Sequence, residues 1–218
     1  DAKKILIKYR IWNIIPKKIS THILNGINSK VQETPKVGNK IFAKSKHTLI
    51  GSNCKSLDEI KIRCIEKKIK AKIWKKNIEG DVKKIALIYV KDLEKLKHKP
   101  PIILISGGET TVKIKGNGLG GRNQEFALHF INFAYKYLPN LKFTLLSAGT
   151  DGRDGPTDAA GAIVDHNSFI KIKKKGVNLN KELLNNNSYN VLKLINSLVI
   201  INGTNTNVAD IQLLTILG

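Results

Sequence analysis

Apolar residues recur at Ile11, Ile14, Ile15, Ile19, Ile23 and Leu24 ahead of Asn25-Gly26, a spacing that lines one face of a helix and a pair that suits its end. The polar stretch from Lys30 to Lys46, broken by Thr34-Pro35 and Val37-Gly38, predicts a loop. His47 to Ile50 then reads as a short strand closed by Gly51-Ser52-Asn53, and Leu57, Ile60, Ile65 and Ile69 as the face of a helix. Ala71 to Trp74 predicts a second strand, and Val82 to Leu96 a second helix with apolar residues at 82, 85, 88, 89, 93 and 96. Strand and helix in alternation is the grammar of a parallel sheet with crossover helices.

The pattern breaks at Lys97-His98-Lys99-Pro100-Pro101, which places a domain boundary between residues 1–97 and 98–218. Beyond it, a strand from Ile102 to Ile105 runs into Gly107-Gly108, and Thr110 to Lys115 reads as another. Glycines at 116, 118, 120 and 121 precede a long helix whose apolar face includes Phe126, Phe130, Phe133 and Tyr137. Phe143 to Leu146 predicts a strand, followed by a Gly- and Asp-rich loop to Asp158 and a strand from Ala162 to Val164. The tail offers a basic segment at 171–175, an Asn-rich stretch at 185–187, a helix near 189–195 and a strand at 198–201, with no internal repeat. The fold class expected is α/β, a partial Rossmann-like parallel-sheet domain followed by a mixed α/β domain.

Composition narrows the partners. With 41% hydrophobic and 25% charged residues the 218-residue chain is that of a folded protein, and no run of eighteen apolar residues is present to span a membrane. Cys54 and Cys64 form no CxxC pair and lie near no histidine, so they read as two thiols in a reducing compartment, and a cytoplasmic location is expected. The net charge of +21 raises nucleic acid as a partner. Only four of the 38 basic residues are arginine, however, and the excess lysine accompanies abundant Ile and Asn, which share A/T-rich codons. Residues 106–165, which hold most of the glycine patterning, carry six basic and six acidic side chains and are neutral. No specific nucleic-acid partner is therefore expected. The chain begins at Asp1 and contains no methionine, which reads as a processed or excised segment or as the tail of a longer reading frame.

Three segments carry chemistry. Gly116-Asn-Gly-Leu-Gly-Gly121 lies between a predicted strand and a predicted helix, where free backbone N–H groups and the helix dipole would suit an anion. It fits GxGxxG, but the acid that a dinucleotide site wants about twenty residues on is missing, and a purely structural turn is the alternative. Arg122 follows on the first helical turn, placed to meet a phosphate or carboxylate bidentately, or else to pair with Glu125. In Ser147 to Asp158 three carboxylates, Asp151, Asp154 and Asp158, follow a strand, where carboxylates hold Mg²⁺ beside substrate phosphates or take a proton from a hydroxyl, unless they only shape a turn. Ser106-Gly-Gly-Glu-Thr-Thr111 repeats the arrangement of strand, small residues and carboxylate. Neither a P-loop nor the protein-kinase motif set is present.

Together, Ser106-Gly-Gly-Glu-Thr-Thr-Val112, Gly120-Gly-Arg-Asn-Gln-Glu125 and Ala148-Gly-Thr-Asp-Gly-Arg-Asp-Gly-Pro-Thr-Asp-Ala-Ala-Gly161, in that order, resemble the glycerate 2-kinase family, whose carboxy-terminal region is called the MOFRL domain. Glu33-Thr-Pro35, Ile50-Gly-Ser-Asn53, Asn185-Asn-Asn-Ser-Tyr189 and Thr206-Asn-Val208 with Asp210 extend the likeness. The resemblance implies ATP-dependent phosphorylation of D-glycerate to 2-phosphoglycerate in a cleft between two α/β domains, with ATP and Mg²⁺. It makes residues 1–97 the end of the larger domain and 98–218 the MOFRL domain. It further implies Arg122 and Asp151 as catalytic residues, Asp151, Asp154 and Asp158 at Mg²⁺, and Ser106, Gly107, Gly108, Glu109, Gly120, Gly121, Asn123, Asn53 and Asn207 at substrate or nucleotide. Asn202 and Asn205 stand where the family usually has glycine. Members are about twice as long, so the remaining half, with a cleft lysine, is expected as a partner, and uncovered sheet edges favour association into a homodimer. A hydroxypyruvate reductase-like oxidoreductase and a basic nucleic-acid-binding module are the alternatives.

Overall fold

The computed structural model describes residues 1–96 and 100–217, so the expected boundary after residue 97 lies outside the described residues. Two compact units are present, one of Asp1–Leu49 and one that begins at Ile50. The first holds helices α1 (Ala2–Lys8) and α2 (Lys17–Ile27) and a 3₁₀ turn at Lys40–Phe42. Pro16 occupies the N-cap of α2. With no N–H and a fixed φ, proline starts a helix and interrupts one, so the face expected from Ile11 becomes helical only at Lys17.

The second unit is built on one sheet. Helix α3 (Asn53–Glu66) leads to strand β1 (Ala71–Asp81), helix α4 (Val82–Glu94) and strand β2 (Ile102–Thr111). Helix α5 (Arg122–Tyr137) joins β2 to β3 (Phe143–Gly149), and β4 (Gly161–Asp165) follows. Three short helices, α6 (Ser168–Lys174), α7 (Leu179–Leu184) and α8 (Ser188–Leu194), precede β5 (Leu198–Val199) and β6 (Asp210–Ile216). The strand order is β1-β2-β6-β3-β4-β5. The α/β class holds, and the parallel sheet expected for the first half is corrected to a mixed, largely antiparallel one. Among the described residues only β1 and β2 run parallel, with α4 between them in sequence. Strand β6 enters between β2 and β3, antiparallel to both, and the β3–β4 and β4–β5 pairs are antiparallel too.

Local differences from the sequence reading have physical causes. His47 to Ile50 is not a strand, and Leu49 and Ile50 are exposed; four residues fall below the usual strand length. Strand β1 continues past Trp74 with two register shifts against β2: the first, between Ile73 and Lys75, takes up Trp74, and the second, between Lys75 and Ile78, falls at Lys76-Asn77. Residues 110 and 111, expected to open a further strand, complete β2.

Alternation along β2 assigns its faces. Ile102 and Leu104 join the main core beneath α4 and α5, which adds Val82, Ala86, Tyr89, Val90, Phe126, Phe130 and Ala134. Edge-on rings run through this layer, Trp74 to Tyr89 at 4.7 Å, Tyr89 to Phe126 at 5.1 Å and Phe130 to Phe143 at 5.1 Å, each contributing about 0.5–1.5 kcal/mol beyond its area. On the opposite face Ile105 and Gly107 look toward α3, which buries Leu57. The Ser52 hydroxyl accepts from the Lys55 amide and starts that helix.

Gly108 is a point of close approach between β1 and β2. Its φ is +151°, and a Cβ there would lie 2.2 Å from the Ile78 nitrogen and 2.3 Å from its carbonyl oxygen. Gly108→Ala is therefore expected to destabilise the chain by about 3 kcal/mol. Gly80→Ala, at φ +110° with nothing within 4 Å, is expected to cost roughly 1 kcal/mol or slightly more, from backbone strain alone. Urea denaturation of the two variants side by side measures the difference.

Candidate active site

Gly108 in β2 and Gly149 in β3 both pair with Asp210, the first residue of β6. Two glycines beside it leave room for a carboxylate that is fully buried. Arg122, on the first turn of α5, answers it with two parallel bonds: Nε donates to Oδ2 at 2.7 Å and Nη2 to Oδ1 at 2.9 Å. The remaining terminal nitrogen, Nη1, lies 3.3 Å from Glu109 Oε1. Bonding to Asp210 holds the Arg122 pKa above its ordinary value, against the opposing effect of burial. The arginine so fixed lines a cavity of about 420 Å³ with Glu109, Gly120, Gly121 and Pro156. The sequence alternative of an Arg122–Glu125 pair gives way to Asp210.

Over residues 115–119 the loop is not the free amide cradle expected: Asn185, Asn186 and Asn187 occupy those donors, while Gly120 and Gly121 line the cavity. The amides of Lys115 and Gly116 donate to Asn186 Oδ1 at 2.7 and 3.1 Å, and that of Asn117 to Asn185 Oδ1 at 3.0 Å. Gly118 N–H donates to the Asn185 carbonyl at 2.8 Å and Leu119 N–H to Asn187 Oδ1 at 3.3 Å. These glycines provide closeness: a Cβ on Gly120 would meet Ser188 Oγ at 2.0 Å, and one on Gly121 the Asp154 carboxyl carbon at 2.3 Å. The Gly107 and Gly108 amides, expected along the cleft, belong to a strand paired on both sides.

The three acids of the loop after β3 diverge. Asp151 Oδ1 accepts from the Arg153 amide at 3.0 Å, and Oδ2 lies 3.5 Å from Asn207 Nδ2. Asp158 accepts from the Tyr189 hydroxyl at 2.8 Å. Asp154 is 2% exposed and caps α5, Oδ1 accepting from the Asn123 amide at 3.0 Å and Oδ2 from the Gln124 amide at 2.9 Å. Among the described residues no group of three or more His, Cys, Asp or Glu side chains is gathered to hold a metal. The expected three-carboxylate set is thus not assembled. Asp151 is half-buried and Asp158 exposed, whereas Asp154 is enclosed.

The other residues sort by depth. Ser106 is buried in the sheet beside the Tyr89 hydroxyl. Asn123 is buried as well, accepting from Ser147 Oγ at 2.6 Å, so it supports α5 from beneath and does not face the cavity. Asn53 Nδ2 donates to the carbonyls of Val208 and Asp210 at 2.8 and 2.9 Å, tying the start of α3 to the start of β6, in one compact unit with them. Asn207 is exposed and lies beside Asp151. Asn205 adopts φ +56°, a conformation Asn tolerates better than most residues. Asp210 and Asn186 carried no role in the sequence reading, although both stand in the segments that extended the family likeness, which was the available signal.

Asp154→Asn turns one acceptor into a donor facing an amide and is expected to cost about 1–2 kcal/mol at pH 7. Burial pushes the Asp154 carboxyl from 3.8 up to about 6, helped by the Asp210 charge and opposed by the two amides. Between about pH 4 and 6 the native chain then binds this proton more tightly than the unfolded chain, so the carboxyl lowers stability as pH rises through that window. The variant is expected to lack this component, which urea midpoints at pH 4, 5, 6 and 7 for both proteins measure.

The MOFRL family model matches residues 102–210. The chain is 37% identical to glycerate 2-kinase of Pyrococcus horikoshii and 39% identical to D-glycerate 2-kinase of Thermotoga maritima, in each case over 97% of this chain and 48% of the relative. The crystal structure of glycerate kinase from Thermotoga maritima superposes with a TM-score of 0.79 at 37% identity, covering 99% of this chain and 50% of that one. That of a Pyrococcus horikoshii protein superposes with a TM-score of 0.74 at 35% identity, covering 100% and 50%. The chain spans about half the length of the curated relatives it matches. Because the family match runs from the first residue of β2 through the cleft loops to Asp210 itself, the chain belongs to the MOFRL family.

Proposed function

We propose that this chain is the carboxy-terminal half of an ATP-dependent glycerate 2-kinase, which transfers the γ-phosphoryl group to the 2-hydroxyl of D-glycerate and yields 2-phosphoglycerate and ADP. The observation that carries the reading is Arg122, locked by the buried Asp210 carboxylate at the edge of a cavity of about 420 Å³. Phosphoryl transfer is catalysed chiefly by positioning and by neutralising charge on the equatorial oxygens. A guanidinium whose Nε and Nη2 are already engaged presents Nη1 in a fixed direction, toward Glu109 in this structure. Exchange of that 3.3 Å contact for a phosphoryl or carboxylate oxygen requires no movement of the arginine stem.

Asp151 takes the proton of the attacking hydroxyl or holds Mg²⁺, which when bound would neutralise phosphate charge. Asn207 beside it and Asn53 across β6 shape this end of the cleft. Asp154 is assigned to holding α5, and residues 1–97 to the end of the family's larger domain, a division that the family match over 102–210 supports. The occupation of the 115–119 amides by Asn185–Asn187 removes support from a dinucleotide-binding reading.

ADP release from Mg-ATP, measured with and without D-glycerate on this chain and on the chain joined to its upstream half, tests the proposal. Glycerate-dependent turnover is expected in the joined protein. Arg122→Ala is expected to lower kcat by about a hundredfold or more, and a variant within threefold of the parent would overturn the role of the arginine.

A further inference from the structure

Asn186 is buried, yet every hydrogen-bonding site of its amide is used. Oδ1 accepts from Lys115 N–H and Gly116 N–H at 2.7 and 3.1 Å, and Nδ2 donates to the Lys113 carbonyl at 3.3 Å and to Glu125 Oε2 at 3.1 Å. The first three partners sit just after β2, and the fourth sits one turn into α5. The side chain therefore joins the two ends of the segment 113–125, whose middle displays Gly120, Gly121 and Arg122. Glu125 is held in turn from behind, Oε1 lying 3.6 Å from Nε2 of the nearly buried His129. Both Asn186 and Glu125 line the cavity that Arg122 borders.

A carboxylate as fully buried as Asp210 holds Arg122 at the guanidinium, but it leaves the backbone of the preceding loop unconstrained. We propose that Asn186 is a positioning residue for Arg122: it closes the 113–125 segment so that the arginine meets Asp210 and the cavity in one fixed geometry. In its catalytic aspect this rests on the kinase reading above.

The backbone of Asn186 makes the test clean. Its φ is +54°, which glycine adopts without strain, so Asn186→Gly deletes the four side-chain bonds and little else. Asn196 has the same φ and lies outside the cleft lining, so Asn196→Gly is the control. The chain has four arginines, whose Nε–H groups are resolvable by ¹⁵N NMR. In Asn186→Gly, exchange of the Arg122 Nε–H and of the Lys115 and Gly116 amides is expected to quicken at least tenfold, and in Asn196→Gly to stay within twofold. Arg122 exchange within twofold of the parent in a folded Asn186→Gly chain would overturn the proposal. Should that variant not fold, Asn186→Asp keeps the Oδ1 acceptor and loses the donors to Glu125 and Lys113, and the same exchange criterion applies to it.

Kinetics separate positioning from general stability. Asn186→Gly is expected to lower kcat at least tenfold in the parent, but less than twofold when Arg122 is already Lys, because its effect passes through the arginine. Equal losses in both backgrounds would overturn it. Absence of glycerate-dependent ADP formation in the joined parent protein would instead refute the kinase reading, and the exchange measurement would still decide whether Asn186 positions Arg122.

Discussion

Asp210 is fully buried at the head of β6, and a carboxylate in that place is tolerable only because Arg122 meets both its oxygens, at 2.7 and 2.9 Å. Loss of one partner of such a pair leaves an uncompensated buried charge, a penalty of about 3–5 kcal/mol. The requirement spreads outward. Glycine must flank the acid on both neighbouring strands, α5 must begin where Arg122 can reach inward, and the carbonyl of Asp210 is held by Asn53 at the start of α3. The sheet, two helix starts and the cleft thus share one ion pair.

Around that pair the polar loops are organised by asparagine and aspartate side chains acting on backbone amides. Asn185–Asn187 hold the glycine loop, Asp154 holds the first turn of α5, and Asn53 holds the entry to β6. Glycines make such approaches feasible by removing a Cβ, as at Gly121 against Asp154. The amides of residues 115–119, which a glycine-rich sequence offers to an anion, are satisfied internally in this fold, and the fixed guanidinium borders the cavity beside Gly120 and Gly121. A ligand at this cleft would be met by side chains on a rigid frame, which suits a reaction governed by placement of charge.

The strongly periodic elements were legible in the sequence. Helix α5 follows from Phe126, Phe130, Phe133 and Tyr137 after a glycine break, and β3 from the run that begins at Phe143. Strand β6 escaped because its inward positions are Asp210, Gln212, Leu214 and Ile216, while Ile211 and Leu213 on the other face are also half-covered. A central strand with polar residues inside and apolar ones outside cancels the alternation on which such readings depend. Helix α7, six residues long, is too short to display a period.

By itself the sequence determined the class of fold, the three glycine- and acid-bearing motifs in order, and Arg122 as the fixed cation among them, because these are local properties of spacing, turn chemistry and side-chain type. Tertiary structure alone decided which acid serves that arginine. Asp210 lies 88 residues from Arg122 along the chain, and only the insertion of β6 between β2 and β3 brings them into contact. Tertiary packing likewise decided that Asp154 turns inward to cap α5 while Asp151 stays half-buried beside Asn207. Local sequence specifies which groups are available, but strand order specifies distance and burial, and a carboxylate becomes ion-pair partner, helix cap or ligand according to those two quantities.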